Sequence, residues 1–258
     1  MESMGANPVF LVSGAGMALV ALGSVFWWKR GGVRWWYFGW GAFAWAVGVA
    51  LKFLWAFLLN RRIYELLRAS FPENVSNPLF WAYVGLLTGF FECGIVLLLG
   101  RWLEGLREAG WREAVGFGVG FGAVEALLLG LSSLATVIIV LTAPEKLPPA
   151  VLKQFAMRGG AILWALAPIV ERASAILVHV FSNVLIILSL RSRLWKWFWL
   201  SFIYKTAVDS FAAFAQLSYG LGTLRHLWTV ELVVVIFGLV GLWGTGAVKG
   251  KFEGGVQG

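Results

Sequence analysis

Charge is scarce in this chain. Asp, Glu, Lys and Arg make up 13% of its 258 residues, about half the usual share in a soluble domain. An ordinary soluble fold, whose surface needs polar groups to wet it, is thereby excluded. Cysteine is nearly absent: Cys93 stands alone, so there is no intrachain disulfide and no thiolate metal cluster. Only two histidines occur, His179 and His226, and no His-Glu-x-x-His, so the helix motif of zinc proteases is missing. A cleaved signal peptide is not expected either. Residues 1–6 lack a basic stretch, and the first apolar run ends in Lys29-Arg30 rather than in small residues.

What the chain has instead is apolar length. Hydrophobic residues make up 60% of it, and long runs of them recur from end to end. A bilayer-crossing helix needs roughly 20 mainly apolar residues, and seven stretches qualify: 8–28, 35–59, 78–99, 114–141, 172–190, 197–219 and 227–248. The expected fold is all-α, a polytopic transmembrane helical bundle of about seven spanning helices plus interfacial helices, formed as a single integral membrane domain over 1–258. Trp27, Trp28, Trp35, Trp36, Trp195, Trp197 and Trp199 crowd the segment ends, as an interfacial aromatic belt does. Segment 61–72, with Arg61, Arg62, Glu65 and Arg68, reads as interfacial. The fourth span is long for one crossing, and Gly130 is the place where it would bend. Segment 148–171 leaves three alternatives: a surface helix, a re-entrant piece or the beginning of span five.

The formal charge of +8 invites a nucleic-acid partner, but Lys and Arg gather at helix ends, where membrane orientation and anionic headgroups account for them. Membrane lipids, not nucleic acid, are the expected partners. One set of loops and the C-terminal tail hold Lys29, Arg30, Arg34, Arg101, Arg107, Arg112, Arg191, Arg193, Lys196, Lys249 and Lys251. The opposite set holds Arg61, Arg62, Arg68, Lys146, Lys153, Arg158 and Arg225. The positive-inside rule then predicts a multi-pass protein of the cell membrane with its N-terminus outside and its C-terminus cytoplasmic.

Against this background, ionisable residues within the spans stand out, because each is costly in hydrocarbon. Glu92, Glu125, His179, Lys205 and Asp209 lie on four different spans. Counted at 1.5 Å rise per residue, they and Asn183 fall in one layer, roughly 10–18 Å from the inner boundary. A shared polar pocket in the inner half of the bilayer is the expectation. His179 and Asn183, four apart, share a helix face, as do Lys205 and Asp209, which read as a buried ion pair. Glu171-Arg172 reads as an interfacial or interhelical charge pair, and Lys52 and Glu231 are expected to approach each other or to share a bridging group. Gly116, Gly118, Gly120 and Gly122 read as close helix packing, not as a dinucleotide loop, since no strand precedes them. His179, Glu125 and Asp209 are a set able in principle to hold a divalent ion. No metal or other cofactor is assigned. Ser182, only three residues from His179 on the same helix, is not assigned as a nucleophile.

The order Phe91-Glu92, then Gly118-x-Gly120-x-Gly122-x-x-Glu125, then Glu171-Arg172 followed by His179, then Asp209 and Glu231, resembles the YhfC-type membrane proteins. These are grouped with glutamic-type intramembrane proteases related to CAAX prenyl proteases. The resemblance runs from Lys52 to Glu231. It implies an intramembrane peptidase in which a glutamate and histidines activate water and an asparagine helps hold the oxyanion. By position, Glu92 is the implied base and His179 with Asn183 the stabilising pair, with Glu125 as a second candidate for the base. Lys205, Asp209 and Phe121 are candidates for substrate contact, the substrate being a membrane-embedded or lipidated peptide. The chain departs from the family pattern at three points: the second carboxylate of a glutamate pair is Cys93, one histidine is Phe121, and another is Lys205. Phenylalanine offers no donor or acceptor. These departures keep open a catalytically inactive scaffold that binds helices or lipidated peptides. A small transporter using Lys205 and Asp209 is a third reading.

Overall fold

A computed structural model describes residues 7–158 and 161–253, apart from the side chains at 154 and 157. No strand occurs among the described residues. After a short 3-10 turn, α1 (Leu11–Arg30) crosses toward the Lys29-Arg30 face, and α2 (Trp35–Ser70) returns. The third crossing joins α3 (Glu73–Thr88), a π-helical turn at Gly89–Cys93 and α4 (Gly94–Trp102). A one-turn helix, α5 (Glu104–Arg107), leads into α6 (Trp111–Thr142). The short α7 (Pro149–Arg158) precedes α8 (Ile162–Ser192), and α9 (Trp195–Phe214), α10 (Leu224–Ala247) and the terminal α11 (Gly250–Glu253) follow. Between α8 and α9 the chain reverses in two residues, with Arg193 left-handed at φ 57°.

Six of these crossings are long and apolar enough to span a membrane. The expected span at 197–219 forms as the helix α9 but is not among these six, and this helix carries Lys196, Lys205 and Asp209. α8 is the hub of the bundle: 78% of its most apolar stretch is buried, against 39% or less in the other five. It packs against α1, α6, α9 and α10, while α2 lies on α6 and α3. Outward-facing residues such as Leu19, Phe57 and Trp243 are exposed, as a lipid-solvated surface requires.

Two of the expected segments gain detail in the structure. Segment 61–70 continues α2 as the same helix, with an Arg61–Glu65 pair one turn apart at 2.8 Å. The fourth crossing runs as a single helix through Gly130, which serves close packing instead: a Cβ there would stand 2.9 Å from the Gly14 carbonyl oxygen of α1. The 148–171 segment divides between α7 and the start of α8, and Pro168 lies inside α8 without ending it.

The α6 glycines divide between two neighbours. Gly116 and Gly120 face the segment that begins α2, where Cβ atoms would collide with Val33 and the Phe38 backbone. Gly118 and Gly122 face α8, where added Cβ atoms would stand 2.6 Å from the Val180 Cα and 3.0 Å from the Ile176 Cα. Two interleaved small-xxx-small pairs therefore let one helix pack tightly on both sides at once.

Candidate functional site

The tight α2–α6–α8 packing is what brings charge to the middle of the bundle. Glu92 lies in the π-helical turn, where the extra residue per turn shifts side chains relative to an α-helix; such bulges occur often at functional sites. Gly48 of α2 admits this turn, since a Cβ there would come within 3.3 Å of the Glu92 Cα. One turn along α2, Lys52 donates to Glu92 Oε1 at 2.6 Å and to Thr88 Oγ1 at 3.3 Å. From α9, Lys205 Nζ lies 3.1 Å from Glu92 Oε2 and 3.6 Å from Asp209 Oδ2. These two oxygens are buried without a hydrogen bond, and Lys205 meets both as an ion pair at short range.

His179 links this half of the cluster to the other. Its Nδ1 is 3.4 Å from Lys205 Nζ and 4.0 Å from Glu92 Oε2. Its Nε2 is 2.9 Å from Glu125 Oε2, which also accepts from Trp45 Nε1 at 3.0 Å. Arg172 binds Glu125 Oε1 and Glu171 Oε1, each at 2.5 Å. A continuous chain of ionisable side chains thus runs Lys52, Glu92, Lys205, His179, Glu125, Arg172, Glu171. Such burial is tolerable only with pairing of this kind.

Glu92, Glu125, His179, Lys205 and Asp209, the five ionisable residues singled out in the sequence, form one connected group. Asn183 joins through the backbone, donating from Nδ2 to the His179 carbonyl oxygen at 2.7 Å, while its Oδ1 is buried without a partner. Phe121 packs against the His179 ring with centroids 4.9 Å apart and is buried. Ser182 is engaged elsewhere, 2.7 Å from Ser201 Oγ and 3.8 Å from the Cys93 sulfur. Glu92, Phe121, His179, Ser182, Asn183 and Lys205 close around one another and leave no void that would admit a water molecule. The rim is more open, with the side chains of Lys52, Glu125 and Asp209 each 22–28% exposed.

Among the described residues, Lys52 and Glu231 neither meet nor share a bridging group. α10 packs on α8, away from α2, so Glu231 lies within electrostatic reach of Glu171 and Arg172 while Lys52 pairs with Glu92. Arg172, read from sequence as an interfacial or interhelical partner of Glu171, does pair with it and also joins the cluster through Glu125, while Trp45 was not anticipated. One signal was available. Of the 21 Lys and Arg residues, three belong to neither set of loops: Lys52, Arg172 and Lys205. Those three neutralise the buried carboxylates.

With this arrangement in view, similarity to known proteins becomes informative. The profile of the family described as YhfC intramembrane metalloprotease matches residues 16–234. The chain belongs to the YhfC family. Among its relatives is the uncharacterized membrane protein YhfC of Bacillus subtilis (strain 168), 25% identical over 264 residues that cover 95% of this chain and 97% of the relative. No solved structure matches the chain.

The YhfC family description implies a metal ion, and the side chains of the site allow a test of fit. A zinc or similar ion takes three or four deprotonated donors converging at about 2.0–2.3 Å. Here Glu92 is flanked by two ammonium groups and Glu125 by a guanidinium, and His179 is the one imidazole in the cluster. Among the described residues, no three of His, Cys, Asp and Glu converge to hold an ion. A divalent cation added here would meet fixed positive charge on several sides in a medium that screens little. The residues present do not fit a metal ion.

Proposed function

We propose that the protein is an intramembrane peptidase of the glutamic type, acting on membrane-embedded or lipidated peptides, with Glu92 as proton acceptor. The observation that carries this reading is Glu92 Oε2: a buried carboxylate oxygen with no hydrogen bond, beside His179 and Lys205. Glu125 is a poorer base, because its oxygens accept from Arg172, Trp45 and His179. It serves instead to hold the imidazole.

In this reading, Glu92 Oε2 takes a proton from water as the water oxygen attacks the peptide carbonyl carbon. The carbonyl electron pair moves to oxygen. That oxyanion forms near the Lys205 ammonium and the second amide hydrogen of Asn183, in a setting where fixed charge is worth far more than in water. Collapse of the tetrahedral intermediate breaks the C–N bond, and Glu92 returns its proton to the leaving amine. Water and peptide enter at the rim of Lys52, Glu125 and Asp209. In the same reading the chain sits in the plasma membrane with its N-terminus outside, so the pocket lies in the inner half of the bilayer and the more basic loops meet anionic headgroups.

The test is cleavage of a panel of membrane-embedded and lipidated peptides by the purified protein, its Glu92→Gln variant and its His179→Ala variant. Loss of general-base action should lower turnover by about 10²-fold or more. Equal turnover by all three would remove the enzyme reading. A second reading, recognition without cleavage, is favoured by Phe121 covering the imidazole and by the closed interior. It expects the panel to remain uncut while crosslinking to the pocket persists.

A further inference from the structure

The misfit between the donor set and a metal ion has a specific geometry. Lys205 Nζ is surrounded by a carboxylate oxygen of Glu92 at 3.1 Å, the His179 Nδ1 at 3.4 Å and a carboxylate oxygen of Asp209 at 3.6 Å. Two carboxylates and an imidazole are the ligands a divalent ion recruits. They come from three separate places: the π-helical turn, α8 and α9. We propose that the Lys205 ammonium occupies the centre that a divalent metal would otherwise take, and supplies as a built-in cation the positive charge this pocket uses.

Two further features support the assignment. Glu92 Oε2 and Asp209 Oδ2 face Lys205, yet neither receives a hydrogen bond. Their contact with Lys205 is that of ion pairs at 3.1 and 3.6 Å. The lysine side chain is also 5% exposed, so its charge is held inside the bundle rather than in solvent. A lysine ammonium is a compact point charge with three donors. It substitutes for the electrostatics of an ion without its short coordination distances, which explains ligand separations above 3 Å. Removing the ammonium leaves the three donors about 1–1.5 Å farther from the vacated centre than zinc would hold them, so uptake requires their side chains to rotate inward.

The inference deepens the peptidase reading by naming the cation of its site, but its test needs no substrate, so either can fail alone. The chain is purified in detergent without a histidine tag, incubated with Zn²⁺ or Mn²⁺, dialysed and assayed for metal by mass spectrometry. Thermal unfolding is followed with and without EDTA. The wild-type chain should retain far less than one ion, with the same midpoint in both conditions. Lys205→Ala and Lys205→His, produced in zinc-supplemented medium, should each take up one Zn²⁺ per chain and lose several degrees of midpoint on chelation. Adding His179→Ala should abolish that uptake. Lys205→Arg, which keeps the charge, should stay metal-free. One tightly held ion in the wild-type chain would overturn the proposal. So would failure of both Lys205→Ala and Lys205→His to take up Zn²⁺.

Discussion

His179 Nε2 stands 2.9 Å from Glu125 Oε2, so the imidazole in the middle of α8 is held from α6. Because Arg172 grips the other oxygen of the same carboxylate, Glu125 is a joint between two cations or donors. Glu125→Gln should therefore destabilise the fold. The loss expected is toward the lower end of roughly 3–5 kcal/mol, the cost of removing one partner of a buried pair, since the Glu125 side chain is 23% exposed. Combining it with Arg172→Leu should recover part of that loss. Unfolding midpoints in detergent for the two single variants and the double variant check this; strictly additive losses would contradict the coupling.

Packing on α6 leads to a second expectation. A Cβ at Gly120 would stand 2.6 Å from the Phe38 Cα, and backbone cannot rotate out of the way. Gly120→Ala should cost about 1–3 kcal/mol or more, as overpacking does. Gly94→Ala, with nothing within 4 Å of the added carbon, should be neutral or slightly stabilising. Paired thermal melts of the two variants distinguish the outcomes.

Cys93 gives a built-in probe of the π-helical turn. Its thiol is buried against Ser182 and Ser201, with sulfur-to-oxygen distances of 3.8 and 3.6 Å. A thiol reagent should modify the folded chain very slowly and the denatured chain at once. Rapid labelling of the folded protein would mean that the turn opens readily.

Membrane orientation is testable in the same way on a Cys93→Ser background. With the N-terminus outside, a cysteine at Arg62 should react with an impermeant maleimide in intact cells, and one at Arg107 only after lysis. The opposite pattern would reverse the orientation that the loop charges favour.

Much of this fold is legible in the chain. A stretch apolar enough to dissolve in lipid must satisfy its backbone internally, so it forms a helix wherever it occurs. That is why the apolar helices that carry Glu92, Glu125 and His179 could be read from the chain. Continuation of α2 through Arg61 and Glu65 was not legible in this way, because hydropathy marks where lipid ends, not where a helix ends. The partner of Lys52 was not legible either. Depth along a helix follows from counting, but direction around it and the identity of the facing helix do not.

The sequence by itself determined that a handful of charged side chains must lie inside an apolar bundle at a common level, since the cost of each in hydrocarbon is a property of that residue alone. Only the tertiary structure decided who meets whom: Lys52 with Glu92 rather than Glu231, Arg172 with Glu125, and Lys205 among three would-be ligands. The reason is that pairing depends on several helices together. The α6 glycines set how closely α2 and α8 approach, and the π-helical turn sets where Glu92 points. Those relations exist only once the helices are packed.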